Sequence, residues 1–358
     1  FMELFKGLKV VDCSSVLAGP QVGTFFSELG AQVIKFENAK TKGDVTRTWH
    51  TPAESKDKIS SYYASINYKK EIHLVDLTNE QDIARIHSEL KNADILLSNF
   101  KGNDAVKFKL DSEFLSAKFP HLIQGVIRGF EFEKDRVAYD VVLQAETGFM
   151  FMNGNADGPP TKMPVALIDV LAAHQLKEGI LCALLQKEKN GKGSCVEVSL
   201  EKAALASLAN QASYFLMTGN TPKRLGSLHP NIAPYGEQFE TMDNKWIVLA
   251  IGSDEQFQKL CRVLNLPDIA TSALYSSNTL RVQNRTQLHT VLQEQFKKQS
   301  CQSFESVAQS NGIPYGRIRN MEEVFEREAA SKNVLTETIE GIETKRMTSI
   351  AFQIKASD

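Results

Sequence analysis

The sequence predicts an α/β fold built on a parallel sheet, and three observations carry that prediction. First, an apolar run, Leu8 to Val11, closes on polar Asp12 to Ser15. A helix-like stretch follows with Val22, Phe25, Phe26 and Leu29 on one face; Gly30 stops it, and a second apolar run, Val33 to Phe36, ends at Glu37. Strand, turn, helix, strand is the unit of a parallel sheet. Second, the same alternation continues to about Ser199, which marks a doubly wound, Rossmann-like domain. Third, from Arg224 the pattern changes to a hairpin followed by helices, as in a smaller α+β domain.

The elements justify themselves in order. Ala18-Gly19-Pro20 is expected to form the turn after the first strand, the place where such sheets bind ligands. That turn is not G-x-G-x-x-G, which disfavours a dinucleotide pocket. Glu71 to Asp76 alternates like a strand, Asn79 to Leu90 reads as a helix, and Ile95 to Leu97 as a further strand. Asp111 to Lys118 is helical, and Leu122 to Arg128 is a strand ending at Gly129. A long helix is expected from Asp169 to about Lys187, closed by Lys189 to Gly193, with a strand at Cys195 to Ser199 and one more helix from Glu201 to Met217. Glu237 to Thr241 and Trp246 to Ile251 form a hairpin around Asp243-Asn244. Asp254 to Leu264, capped by Ser253 or Asp254, and Gln283 to Lys298 are helices, and Gly312 to Gly316 marks a return to the first domain.

Bulk properties exclude several function classes. The 358 residues make two domains the default, and the net charge of −2 without a long basic block argues against a nucleic-acid partner. No apolar run reaches the roughly 20 residues of a membrane span. Phe1 to Lys6 leads straight into a strand, so no secretory leader is expected, and Phe1 before Met2 reads as extraneous. The five cysteines (Cys13, Cys182, Cys195, Cys261, Cys301) are scattered without a C-x-x-C pair, which suggests neither a disulfide framework nor a zinc site; small buried or half-buried thiols in a reducing cytoplasm are expected. The histidines form no His-x₃-His pair, and no metal is expected.

Several motifs then point one way. Gly7-Leu8-Lys9-Val10-Val11-Asp12, Ala18-Gly19-Pro20, Leu29-Gly30-Ala31-Gln32-Val33-Ile34-Lys35-Phe36-Glu37 and Gly43-Asp44-Val45-Thr46-Arg47 follow one another in order. Asn67 with Lys69-Lys70, Ala93-Asp94 to Asn99-Phe100, Ala138-Tyr139-Asp140 with Gln144-Ala145 and Gly148, and Arg224 to Tyr235 (R-x-G-x-x-H-P-x-x-x-P-Y) extend the series. The chain resembles the family III CoA-transferases, the group of formyl-CoA transferase and carnitine CoA-transferase, which is related to α-methylacyl-CoA racemase. Two places depart from the family pattern: the loop Phe130 to Lys134 replaces a Gly/Pro-rich one, and a P-x-L-G-x-H-T tail motif is absent.

The resemblance implies a large CoA-binding domain (1–200), a linker helix (201–224), an inserted small α+β domain (225–309), a return segment (310–358), and an intertwined homodimer. It implies that Asp169 is the catalytic nucleophile, placed at a helix N-terminus that favours an anion; from the residues alone the same aspartate reads as a simple N-cap. Asp169 would attack the acyl-CoA carbonyl and pass through a mixed anhydride and an aspartyl-CoA thioester, so that CoA moves from a thioester to a free carboxylic acid. Each step trades carboxylate for thiolate and calls for no permanently bound cofactor, CoA being substrate. The resemblance further places CoA contacts at Val16, Leu17, Ala18, Asn38, Leu74, Val75, Asp76, Asn99, Phe100, Lys101, Lys107, Arg136 and Tyr139, with Lys40 or Lys69 as further charge; a surface lysine on its own is usually just solvated. His229 reads equally as a site-mouth or a turn residue, and His174 as structural. Two other readings stay open: a racemase-like isomerase, against which Tyr139 stands where a histidine is expected, and a non-catalytic CoA-ester binder.

Overall fold

The computed structural model describes residues 3–133 and 135–355. The chain divides into two compact units, one comprising the described residues of Phe1–Met150, Lys162–Pro222 and Lys332–Asp358, the other Phe151–Thr161 and Lys223–Ser331.

The first unit is organised by six parallel strands: β1 (Lys9–Asp12), β2 (Gln32–Asn38), β3 (Lys70–Val75), β4 (Ile95–Ser98), β5 (Ile123–Arg128) and β6 (Cys195–Ser199), in the spatial order β3-β2-β1-β4-β5-β6. The order reverses at β1/β4, which opens a crevice beyond the strands' C-terminal ends. Its helices are α1 (Ala18–Glu28), α2 (Ser61–Ser65), α3 (Glu80–Leu90), α4 (Gly102–Lys107), α5 (Ser112–Lys118), α6 (Asp140–Glu146), α7 (Phe149–Met152), which runs into the second unit, α8 (Leu167–Asn190), α9 (Leu200–Ala206) and α10 (Ala209–Thr218). Side chains alternate across each strand, so the sheet buries apolar groups on both faces. Val10, Val33, Ile95, Leu97, Ile123 and Ile127 pack with Val22, Phe26, Leu176 and Ile180 of α1 and α8. Val11, Ile34, Phe36 and Leu96 pack on the other face with Ile86, Leu90 and Leu115 of α3 and α5. The mixed α/β architecture with a doubly wound parallel sheet is therefore as expected.

In the second unit β7 (Tyr235–Glu240) and β8 (Trp246–Ala250) pair antiparallel around Asn244, whose φ of +55° suits a tight turn. The helices α11 (Asp254–Val263), α12 (Pro267–Thr271), α13 (Asn278–Gln283), α14 (Arg285–Phe296), α15 (Cys301–Ser310), α16 (Met321–Phe325) and α17 (Glu328–Ser331) follow. Their core is Phe239, Ile247, Phe257, Leu260, Leu292, Phe296 and Phe304.

Several expectations need correction. The return to the first unit comes at Lys332 and not near 310, because a third strand, β9 (Tyr315–Ile318), pairs with β8. The expected helix 201–217 is two helices that stay with the first unit: Ser207 Oγ donates back to Ala203 O at 2.8 Å and Ala209 turns to φ +47°. The helix expected at 283–298 is present as α14 with each end two residues shorter, and a separate helix, α13, precedes it, parted from it at Asn284, whose Nδ2 donates to Leu280 O at 3.0 Å. Ala18-Gly19-Pro20 is the first turn of α1, where proline is tolerated, and not a separate loop. Cys182 and Cys195 are exposed; only Cys13, Cys261 and Cys301 are buried.

The last segment is a hairpin, β10 (Val334–Ile339) and β11 (Ile342–Met347), joined by Glu340 and Gly341 at φ +50° and +80°. It is fastened to α1 by Glu28, whose buried carboxylate meets Arg346 at 2.6 Å and accepts from Thr348 Oγ1 and the Ser349 N–H.

Candidate active site

Asp169 is the third residue of α8. The helix begins here because Asp140, the first residue of α6, sends its carboxylate to the orphan N–H groups: Oδ1 accepts from Ile168 N at 2.7 Å and lies 3.4 Å from Asp169 N. Gln144 Nε2 holds the other oxygen at 2.7 Å. With the helix N–H groups so taken, nothing among the described residues donates to the Asp169 carboxylate itself. Asp169 is only 6% exposed. Burial, and then the like charge of Asp140, push its carboxyl up to about 7. A helix N-terminus that holds this carboxylate well ionised is thus not the result: the helix end is already neutralised by Asp140.

Tyr62 of α2 belongs to the same neighbourhood. Burial and the carboxylates of Asp169, Asp140 and Asp44 hold its phenol above the usual tyrosine range, and its ring meets Trp49 edge-on at 5.1 Å. Neither Tyr62 nor Asp140 was singled out as a site residue from the sequence. Asp140 stood there only as part of the A-Y-D motif, and Tyr62 carried no signal beyond residue type.

Two cavities open at the C-terminal ends of the strands. The larger, about 410 Å³, is lined by Asn38, Val75, Asp76, Asn99, Phe100 and Lys101 among others, with Phe36, Leu77 and Phe108 supplying apolar wall and Lys40 a cation. The second, about 270 Å³, is lined by Val16, Asn99, Phe100, Lys101, Arg136 and Tyr139. Residues 99–101 are common to both, as is Ser15. The sequence-expected contacts Asn38, Val75, Asp76, Asn99, Phe100, Lys101, Val16, Arg136 and Tyr139 are thereby gathered at two adjoining hollows. Leu17, Ala18, Leu74 and Lys107 line neither, nor does Asp169. Leu74 is 51% exposed, and the Lys107 ammonium stands near the Phe108 ring at 5.9 Å. Tyr139 precedes Asp140, and this links the second hollow to Asp169.

A buried charge network underlies the site. Asp12, at the end of β1, meets Lys70 at 2.9 Å and accepts from Ser14 Oγ at 2.5 Å. Burial alone would raise its carboxyl, but Lys70, Lys35 and Ser14 together carry it down to about 2. Lys35 donates to Ser14 O at 2.8 Å and lies 3.4 Å from Asp44. Glu37 pairs with Arg47 at 2.7 Å and accepts from Tyr63 Oη. Of the four acids lining the larger hollow, Glu37, Asp44, Asp76 and Asp104, the first two are thus already paired, and Lys40 bridges Asp76 and Thr78.

The altered loop 130–134 splits in character. Phe130 is buried under the Arg136 guanidinium at 3.9 Å, whereas Phe132 is 91% exposed; Lys134 lies outside the described residues. His174 is exposed on α8. His229, in the second unit, accepts from Asn231 N through Nδ1 and packs on Tyr235. No grouping of three metal-ligating side chains occurs among the described residues.

The chain is 33% identical to a succinate–glutarate CoA-transferase of Agrobacterium fabrum, over 89% of this chain and 81% of that protein. It is 32% identical to the human succinyl-CoA:glutarate CoA-transferase (89% and 73%) and to an acetyl-CoA:oxalate CoA-transferase of Acetobacter aceti (92% and 85%). Among solved structures, a CAIB/BAIF family protein from Brucella suis superposes with a TM-score of 0.87 at 31% identity, covering 99% of this chain and 93% of that one. The family model for CoA-transferase family III matches residues 5–358, and the chain belongs to that family.

Proposed function

We propose that this protein moves CoA from an acyl-CoA thioester to a free carboxylic acid with Asp169 as the nucleophile. The observation that carries the reading is a buried carboxylate without a hydrogen-bond donor among the described residues, at the start of a helix whose first N–H groups are already capped. Such a carboxylate is poorly solvated, so it gives up little hydration when it attacks carbon.

The chemistry follows in balanced steps. An Asp169 oxygen adds to the acyl-CoA carbonyl and the C–S bond breaks, giving a mixed anhydride and CoA thiolate. The thiolate attacks the aspartyl carbonyl and expels the first acid, leaving an aspartyl-CoA thioester. The acceptor carboxylate attacks that thioester, thiolate leaves again, and the thiolate takes the new acyl group, restoring Asp169. The two hollows that share residues 99–101 suit a long ligand running from Asn38, Val75 and Asp76 to Tyr139, with Lys40 and Lys101 as partners for phosphate. Leu17, Ala18, Leu74 and Lys107 belong to the proposed contact set on the resemblance alone.

Relatives named for succinate, glutarate and oxalate set the substrate panel. The test is CoA exchange from succinyl-CoA and acetyl-CoA to these acids, beside Asp169→Asn. Exchange by the native protein and its loss in the variant support the reading; exchange that survives in Asp169→Asn overturns the assigned nucleophile.

A second copy as partner is part of the same proposal. Tyr214, Phe215, Leu216 and Met217 are consecutive and exposed on α10, Leu216 and Met217 at 79% and 85%, a concentration that commonly marks an interface. Light scattering should return twice the chain mass. A cytoplasmic site is proposed on the five free thiols. No helix among the described residues is long and apolar enough to cross a membrane.

A further inference from the structure

The segment between β1 and α1 is held at every backbone N–H from 13 to 16. Cys13 N donates to Leu97 O at 2.8 Å, Ser14 N to Asp12 Oδ1 at 3.0 Å, and Ser15 N to Asn99 Oδ1 at 3.1 Å. Val16 N donates to the Asp44 carboxylate at 3.2 Å. Val16 is also at φ +72°. A β-branched residue in the left-handed region is a true outlier, and it persists only where the surroundings over-determine it. What over-determines it is Asp44, itself buried, fixed by Thr46 N and Oγ1 and facing the Lys35 ammonium at 3.4 Å.

We infer that Asp44 is a positioning residue for the transferase reaction: by clamping the Val16 N–H it holds Val16 in a conformation the side chain resists, and so aims the turn into α1 at the CoA ester. Val16 lines the hollow with Tyr139 and Arg136, and among the described residues the next N–H groups, those of Leu17, Ala18 and Gly19, make no hydrogen bond. A relaxed Val16 would swing those groups away. The inference rests on the proposed CoA reading, and it concerns a residue that precedes Asp169 by 125 residues in sequence.

The test is CoA affinity by calorimetry on the full chain, for the native protein, Asp44→Ala, Val16→Gly and the double variant. Glycine adopts φ +72° without strain, so Val16→Gly, which also removes a side chain lining the hollow, is measured as the reference for the double variant. Asp44→Ala should bind at least about tenfold more weakly, and adding Val16→Gly should recover most of that loss. A double variant no better than Asp44→Ala overturns the inference, as does an Asp44→Ala that binds like native. Asp44→Ala strands Lys35 and risks unfolding, so Asp44→Asn, which keeps the volume, is run in parallel; weaker binding restored by Val16→Gly is again required. If the native protein itself does not bind CoA, it is the functional reading that fails and not the clamp.

Discussion

The Asp140 carboxylate accepts the Ile168 N–H at 2.7 Å and so caps the helix that carries Asp169, setting one buried acid beside another. The cap has two effects. It satisfies helix N–H groups that the Asp169 carboxylate would otherwise engage, and its negative charge adds to burial in raising Asp169 to about 7.

Because the nucleophile is the ionised form, acylation should rise with pH through about 7 and level off above it. In Asp140→Asn the cap can still accept through its amide oxygen, but the like charge is gone. The midpoint of the pH–rate profile should move to lower pH, yet stay above the ordinary carboxylate range because burial remains. A stopped-flow profile with an acyl-CoA donor measures this, and an unmoved midpoint would show that Asp140 acts only as a cap.

The same shift makes a stability prediction of opposite sense. A carboxyl raised from 3.8 to about 7 on folding binds more protons folded than unfolded, so stability falls as pH rises from about 4 to 7 and stays low above. The loss is on the order of 4 kcal/mol at 1.36 kcal/mol per pH unit. Asp169→Asn removes it. The variant should be more stable than the native protein in urea titrations at pH 8, with little difference near pH 4; equal curves at pH 8 would contradict the raised value.

Glu28 ties the terminal hairpin to α1. Glu28→Ala leaves the Arg346 guanidinium, 5% exposed, without its partner. Breaking a buried pair on one side costs about 3–5 kcal/mol, and denaturant unfolding should show it. Limited proteolysis should then cut first between β10 and β11.

Gly129 sits where the strand end meets the loop bearing Tyr139. A Cβ there would lie 2.2 Å from the Ala138 Cβ. Gly129→Ala must displace that loop at a cost of about 1–3 kcal/mol, and CoA affinity should fall together with stability.

Much of the first unit was legible because its strands are short apolar runs buried on both faces, and because Asn79 and Asp111 announce helix starts they do in fact cap, as Ser253 does in the second unit. β9 escaped because four residues, Tyr315–Ile318, pair with β8 across some seventy residues of chain, and a local pattern carries no record of a distant edge. The break at Ala209 rests on one side-chain hydrogen bond from Ser207, which hydrophobic periodicity does not register. Lys35 lies within the apolar run Val33 to Phe36 and is wholly buried there; Asp44 and Ser14, which receive its ammonium, meet it only in the fold. Asp169 was reached through the motif order around it. Its environment was not, since Asp140 lies 29 residues away in sequence and Tyr62 comes from a separate helix.

The central claim is that Asp169 becomes covalently loaded. Intact-protein mass spectrometry after mixing with succinyl-CoA and acetyl-CoA, native protein beside Asp169→Ala, tests it most directly. The account predicts a native adduct of CoA mass less water, or of the acyl group, that is absent from the variant. An adduct of equal amount on Asp169→Ala, or exchange activity without any adduct on rapid quenching, would contradict it.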